Sequence, residues 1–157
     1  MIRTNPRPAA RAVEELLAAL RPWLADERAR FAAHCHERGI SMAHLHLMGL
    51  LERNGPMAMS AVAGILGTEL PTVTGLVDRM EDRGLVERVR DEGDRRVVLV
   101  TLTEAGAALL SELHALRRER LAAALAFLDE GQRARLLAAF GDLRRAFERL
   151  AAEEDAR

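Results

Sequence analysis

The chain has 157 residues, 49% of them hydrophobic and 30% charged, enough apolar material for one domain with a real core. A formal net charge of −1 is not the basic footprint usual for a nucleic-acid binder, and a single cysteine excludes an internal disulfide. No apolar run reaches the length of a membrane span, Leu121 to Leu128 being the longest candidate, and the start, with Arg3, Arg7 and Arg11, lacks a secretory apolar segment, so a cytoplasmic protein with no membrane partner is expected.

Val13, Leu16, Leu17, Leu20, Leu24 and Phe31 recur at three- and four-residue steps, which predicts an amphipathic helix over 9–38 with Gly39 as its C-cap. A second helix is expected from Ser41 to Glu52, closed by the turn Asn54-Gly55-Pro56. Two short helical patterns follow, 58–66 and 70–83, then two strand-like runs, 85–90 and 97–102, around the turn Asp91-Glu92-Gly93-Asp94-Arg95-Arg96. Thr103 suits the cap of a long helix reaching about Leu128. Asp129 and Gln132 form a capping-box start for the last helix, where Leu136, Phe140, Leu143, Phe147 and Leu150 alternate as in a coiled-coil seam.

The expected fold is mainly α with a small β-hairpin wing, in a single domain over 1–157. A winged helix-turn-helix lobe occupies 41–102, with 58–66 as supporting helix, 70–83 as recognition helix and 85–102 as wing. The long helices at 9–38 and 103–152 carry more apolar stripe than a monomer of this size hides, which predicts a two-fold homodimer. A helix sized for the major groove, followed at once by an arginine-tipped hairpin, points to double-stranded DNA as partner.

On the recognition helix, Val73, Leu76, Val77 and Met80 fall on one side and are expected to bury against Val62, Ala63 and Leu66. The opposite face presents Pro71, Thr72, Thr74, Gly75, Asp78 and Arg79. Small residues let the backbone approach base edges, threonine offers a hydroxyl and a methyl, and Arg79 suits guanine or phosphate. Gly93 permits the tight wing turn. All 23 basic residues are arginine, a usage that GC-rich coding explains as well as phosphate binding does.

The stretch Leu70-Pro71-Thr72-Val73-Thr74-Gly75-Leu76-Val77-Asp78-Arg79-Met80, with Gly84-Leu85-Val86-Glu87-Arg88, Asp94-Arg95-Arg96 and Leu102-Thr103-Glu104-Ala105-Gly106, resembles the MarR family of bacterial transcriptional regulators. The resemblance implies a homodimeric winged-helix regulator, commonly a repressor on a pseudo-palindromic operator, released by a small-molecule, redox or metal effector. It implies Arg95 as the minor-groove residue, with Arg96 touching phosphate or bracing the wing and Asp94 bracing it. Two departures stand out: Glu69 is a poor N-cap beside the expected phosphate, and Gly64 and Ile65 soften or expose the supporting helix.

His34-Cys35-His36, His44 and His46 gather near the junction of the first two helices. Together with Trp23, the residues His34, Cys35, His44 and His46 are candidates for an effector pocket, which the family fold places near that junction. Ordinary packing, an organic-ligand pocket and metal or thiol sensing are all open readings, but adjacent helical residues point about 100° apart and no standard zinc spacing occurs, so no metal is assigned. Oxidant-sensing relatives carry their cysteine near the start of the first helix, whereas Cys35 is near its end. No cofactor and no catalytic residue is expected, because the chain has no nucleophile elbow, phosphate-binding glycine loop or His-Glu-x-x-His motif. The rival reading is a winged-helix module for protein association, supported by the near-neutral charge, Glu69 and Ile65.

Overall fold

Local capping chemistry sets the ends of most helices. The computed structural model describes residues 6–91 and 93–156, with side chains from residue 10 onward; Arg3 and Glu92, named above, lie outside them. Helix α1 spans Pro6–Glu37 and starts before the expected Ala9. Proline is tolerated in a first turn, whose N–H groups have no intrahelical partner. At its C-terminus Gly39 takes φ +65°, and the N–H groups of Gly39 and Ile40 donate to the His36 and Cys35 carbonyls, both at 2.8 Å. Helix α2, Met42–Asn54, is capped by Ser41, whose Oγ accepts the His44 N–H at 3.3 Å while His44 Nδ1 accepts the Ser41 N–H at 3.1 Å. Histidine thus takes the place that Glu or Gln usually holds in a capping box.

A two-residue strand, β1 (Met57–Ala58), precedes helix α3 (Met59–Leu66) and was not legible in the sequence, because two residues carry no alternation. The chain then turns through Gly67, Thr68 and Glu69 into helix α4 (Leu70–Glu81), and the two helices meet at a bend of 112°. That angle lies within the range of a helix-turn-helix. Val62 and Ala63 of α3 are buried, as are Val73, Leu76, Val77 and Met80 of α4, the four residues expected from helical spacing. Helix α4 stops at Glu81, short of the expected Arg83. Gly84, with φ +67°, donates its N–H to Glu81 O at 2.8 Å, and Leu85 donates to Met80 O at 2.9 Å, so the chain leaves the helix there.

Strands β2 (Val86–Arg90) and β3 (Val98–Leu102) form the hairpin, with β1 on the far side of β3 and every pairing antiparallel. The register sets Val86 opposite Leu102, Arg88 opposite Val100 and Arg90 opposite Val98. Helix α5 (Glu104–Ala126) is capped by Thr103, as expected, and Asp129 and Gln132 close the anticipated capping box at the start of helix α6 (Glu130–Asp155).

The chain divides into two compact units, 1–113 and 114–157. The first holds the buried core: Cys35 and Ile40, Leu47 and Met48 of α2, the α3 and α4 residues above, Val86 and Val100 of the sheet, and Leu110 and Leu113 of α5. In the second unit none of the described residues is buried. No helix among the described residues is singly long and apolar enough to cross a membrane.

One contact ties the wing to α5. A Cβ placed on Gly106 would sit 2.0 Å from the Leu85 carbonyl oxygen, a backbone atom that cannot move aside alone. That oxygen also accepts the Thr103 N–H at 3.2 Å. Gly106→Ala is therefore expected to destabilise the protein by about 3 kcal/mol, at the upper end of overpacking costs, read from chemical denaturation. Gly64 has nothing within 4 Å of its added Cβ. Gly64→Ala is expected to stabilise α3 by roughly 0.5–1 kcal/mol in the same assay. Equal effects of the two would contradict this account of the packing.

Candidate nucleic-acid interface

Because α4 buries Val73, Leu76, Val77 and Met80, its other face is turned to solvent: Pro71, Thr72 and Arg79 are exposed, and Thr74 and Gly75 half-buried. The Thr74 hydroxyl donates to the Leu70 carbonyl at 2.9 Å, which leaves its methyl and its acceptor lone pairs for a partner. Pro71 falls in the first turn, and Glu69 makes no side-chain capping bond, in keeping with its being a poor N-cap, its carboxylate standing one methylene farther from the backbone than that of aspartate. The guanidinium of Arg79 bonds to no other described residue.

Two aspartates fold the wing turn through the main chain. Asp91 Oδ1 accepts the N–H groups of Gly93 and Asp94, each at 2.8 Å, and Asp94 Oδ1 accepts the Arg96 N–H at 3.0 Å. Such Asx turns hold a tight reversal without large side chains. Asp94 thus meets Arg96 through the backbone N–H. Arg90 Nη1 reaches the Arg95 carbonyl at 3.2 Å from the neighbouring strand. The side chains of Arg95 and Arg96 are exposed and bond to no other described residue.

Several other arginines of the lobe do structural work, while Arg53 at the end of α2 is exposed and bonds to no other described residue. Arg83 donates to the carbonyls of Gly39 and Arg38 at 2.5 and 2.6 Å, pinning the end of α4 to the α1–α2 corner. Arg38 in turn pairs with Glu112 of α5 at 2.5 Å. Arg88 on β2 donates Nη2 to Asp78 at 2.5 Å and Nη1 to Glu81, and its own N–H bonds Glu81 at 3.2 Å. The Asp78 hydrogen bond, aided by the Glu81 charge and opposed by burial, raises the Arg88 pKa above its ordinary value. Sequence reading missed Arg83, Arg88 and Asp91. The i, i+3 acids Asp78 and Glu81 facing a strand arginine, and Asp91 two residues before Gly93, were the available signals.

The candidate pocket residues separate. Cys35 is buried and, with His36, Ile40 and Met42, borders an open groove of about 390 Å³ at the α1–α2 corner. His44 serves the α2 cap. His46 and Trp23 are exposed, and His34 Nδ1 lies 3.8 Å from Glu37. Among the described residues no three His, Cys, Asp or Glu side chains could share a metal ion.

A bent helix pair, a hairpin pinned to its second helix and a solvent-facing α4 surface define a winged helix-turn-helix protein. The family model described as MarR family matches residues 40–98. The HTH-type transcriptional regulator YfiV of Bacillus subtilis is 32% identical over 109 residues, which span 69% of this chain and 68% of YfiV. MdtR of the same organism, named a transcriptional repressor, is 31% identical over 94 residues, 60% of this chain and 61% of MdtR. The structure of a MarR family protein from Bacillus stearothermophilus superposes with a TM-score of 0.74 at 27% identity, covering 88% of this chain and 97% of that one. The chain belongs to the MarR family of transcriptional regulators.

His44 offers a test of the lobe's pH response. Burial, then the charges of Arg79 and Arg83, holds its imidazole below the ordinary 6.5. Its Nδ1 is an acceptor in the cap, so the ring proton sits on Nε2, which is buried with no partner among the described residues. With the folded pKa below the unfolded one, the unfolded chain takes up the proton first. His44 therefore contributes stability in full above the unfolded value, and that contribution is lost as pH falls through the folded value. His44→Gln keeps an acceptor at this position but does not titrate. Melting at about pH 7.5 and about pH 5.5 is expected to show a smaller loss of Tm for the variant than for the parent. Equal losses would remove His44 from the pH response.

Proposed function

We propose that this protein is a sequence-specific double-stranded DNA-binding regulator of transcription that acts as a homodimeric repressor. The observation that carries the reading is the division of arginines between α4 and the end of the hairpin that follows it. Arg83 and Arg88 are held by protein groups, whereas Arg79 on α4 and Arg95 and Arg96 at the wing tip are exposed and unengaged by the described residues. A charge count over the whole chain hides this division. Pro71, Thr72, Thr74 and Gly75 would face base edges in the major groove, Arg79 a guanine or phosphate, Arg95 the minor groove and Arg96 a phosphate.

The homodimer is supported by the apolar residues that the single chain leaves exposed. Leu137, Phe140 and Phe147 of α6 are 72%, 58% and 62% exposed, and Val13, Leu16 and Trp23 of α1 about half exposed. Faces of this kind mark association surfaces. Two recognition helices related by a two-fold axis would read an inverted repeat with half-sites about one helical turn apart. Release by a small-molecule effector at the α1–α2 groove would require only about 1.4 kcal/mol of differential affinity for a tenfold change in occupancy. The cytoplasm is the compartment that fits a DNA partner.

The test is a titration against DNA upstream of the gene and its neighbours, at about 50 and about 200 mM salt. Binding is expected to weaken steeply with salt, and Arg95→Ala to lower both the affinity, by about tenfold or more, and the salt slope, by about one. Salt-insensitive capture of a protein in place of DNA would favour an association module. In sedimentation, Phe140→Asp with Phe147→Asp is expected to convert a dimer to a monomer; an unchanged sedimentation coefficient would place the dimer surface elsewhere.

A further inference from the structure

Helix α4 carries two acids, Asp78 and Glu81, beside the surface proposed to meet DNA. Taken alone they oppose a polyanion. Both are engaged by one residue, Arg88, at the middle of strand β2, whose guanidinium bridges the two carboxylates while its main-chain N–H holds Glu81 a second time. We propose that Arg88 is a positioning residue that locks the recognition helix to the wing, so that major-groove and minor-groove contacts are made by one rigid body. This rests on the DNA reading above.

The geometry favours a lock over simple neutralisation. Asp78 and Glu81 are three residues apart, so they project from the same side of α4, and the guanidinium meets them with two different nitrogens. A planar fork bound at both tines fixes rotation as well as distance, which a lysine ammonium cannot do. Arg88 is paired with Val100, which is fully buried, so its strand is itself anchored in the core. The Arg88 side chain is 26% exposed and its partners Asp78 and Glu81 are 54% and 38% exposed, so the bridge is open to solvent screening and its effect comes from the two-point geometry rather than from burial. Arg95 lies at the tip of the same hairpin, where a small tilt of β2 against α4 becomes a larger displacement.

The two roles predict opposite signs. Asp78→Asn with Glu81→Gln leaves every cation in place and removes two negative charges near the DNA. Neutralisation alone predicts equal or tighter binding. The lock predicts binding to the operator fragment weaker by about tenfold, with the salt slope reduced by about one although no cation has been removed. Dimethyl sulfate footprinting separates the grooves, since it reports guanine N7 in the major groove and adenine N3 in the minor groove. Protection at adenine N3 is expected to be lost and protection at guanine N7 kept, both in this double variant and in Arg88→Lys, with circular dichroism verifying that each is folded. Equal or tighter binding with the parent footprint overturns the lock. Uniform loss at both grooves also overturns it. If the folded parent itself binds no operator fragment, the DNA reading fails first, and the inference with it.

Discussion

The Leu85 carbonyl is the point on which the lobe turns. It follows the glycine that ends α4, stands at the entry to β2, accepts the Thr103 N–H, and faces a glycine of α5 where no side chain would fit. Thr103 adds two more bonds at the same place. Its hydroxyl donates to the Gly84 carbonyl at 2.6 Å and accepts the Gly106 N–H at 3.0 Å, so one side chain both caps α5 and holds the end of α4. Helix α4, both ends of the hairpin and the first turn of α5 are joined there by main-chain atoms and the Thr103 hydroxyl. Polar groups brought this close and left unpaired would cost about 1–3 kcal/mol each, so the arrangement persists only when all are satisfied together.

From that corner outward, the lobe is held by charge placed on the backbone as much as by apolar packing. Arg83 closes the carbonyls at the C-terminal end of α1, where a cation also complements the helix dipole. Arg38 carries the connection on to Glu112. Asp91 and Asp94 spend their carboxylates on wing amides. On α4 and at the wing tip, Arg79, Arg95 and Arg96 are left unengaged by the described residues. A near-zero net charge therefore coexists with exposed arginines on α4 and the wing, where Asp78, Glu81, Asp91 and Asp94 are already bound to protein groups.

Unit 114–157 follows a different rule. Asp129 and Gln132 start α6 with a complete capping box, so local bonds nucleate the helix, yet no described residue of the unit is buried. Capping contributes only about 1 kcal/mol, and helical stability in proteins comes mainly from burying an amphipathic face. The seam from Leu136 to Leu150 is such a face. A second copy would supply the missing burial.

Most helix boundaries, the four buried residues of α4, the caps at Gly39, Thr103 and Asp129 and the two wing strands were legible in the sequence. Each is governed by short-range geometry: a period of 3.6 or 2, a missing Cβ, or an oxygen within reach of a free amide. The short strand β1, the pairing of His44 with Ser41 and the partners of Arg83 and Arg88 were not. Sequence spacing says that Asp78 and Glu81 share a side of a helix, but not that a strand arginine lies over them, because that depends on how the hairpin packs on α4. The histidine cluster was dispersed for the same reason: neighbours in the chain, they project in different directions once wound into helices, so Cys35 enters the core, His44 a cap and His46 the solvent. Periodicity and capping thus determined which segments are helix, turn and wing. Only the tertiary structure decided which charges are spent on the protein and which remain for a partner, since an arginine's role is set by whatever polar atoms the fold brings within about 3 Å of it.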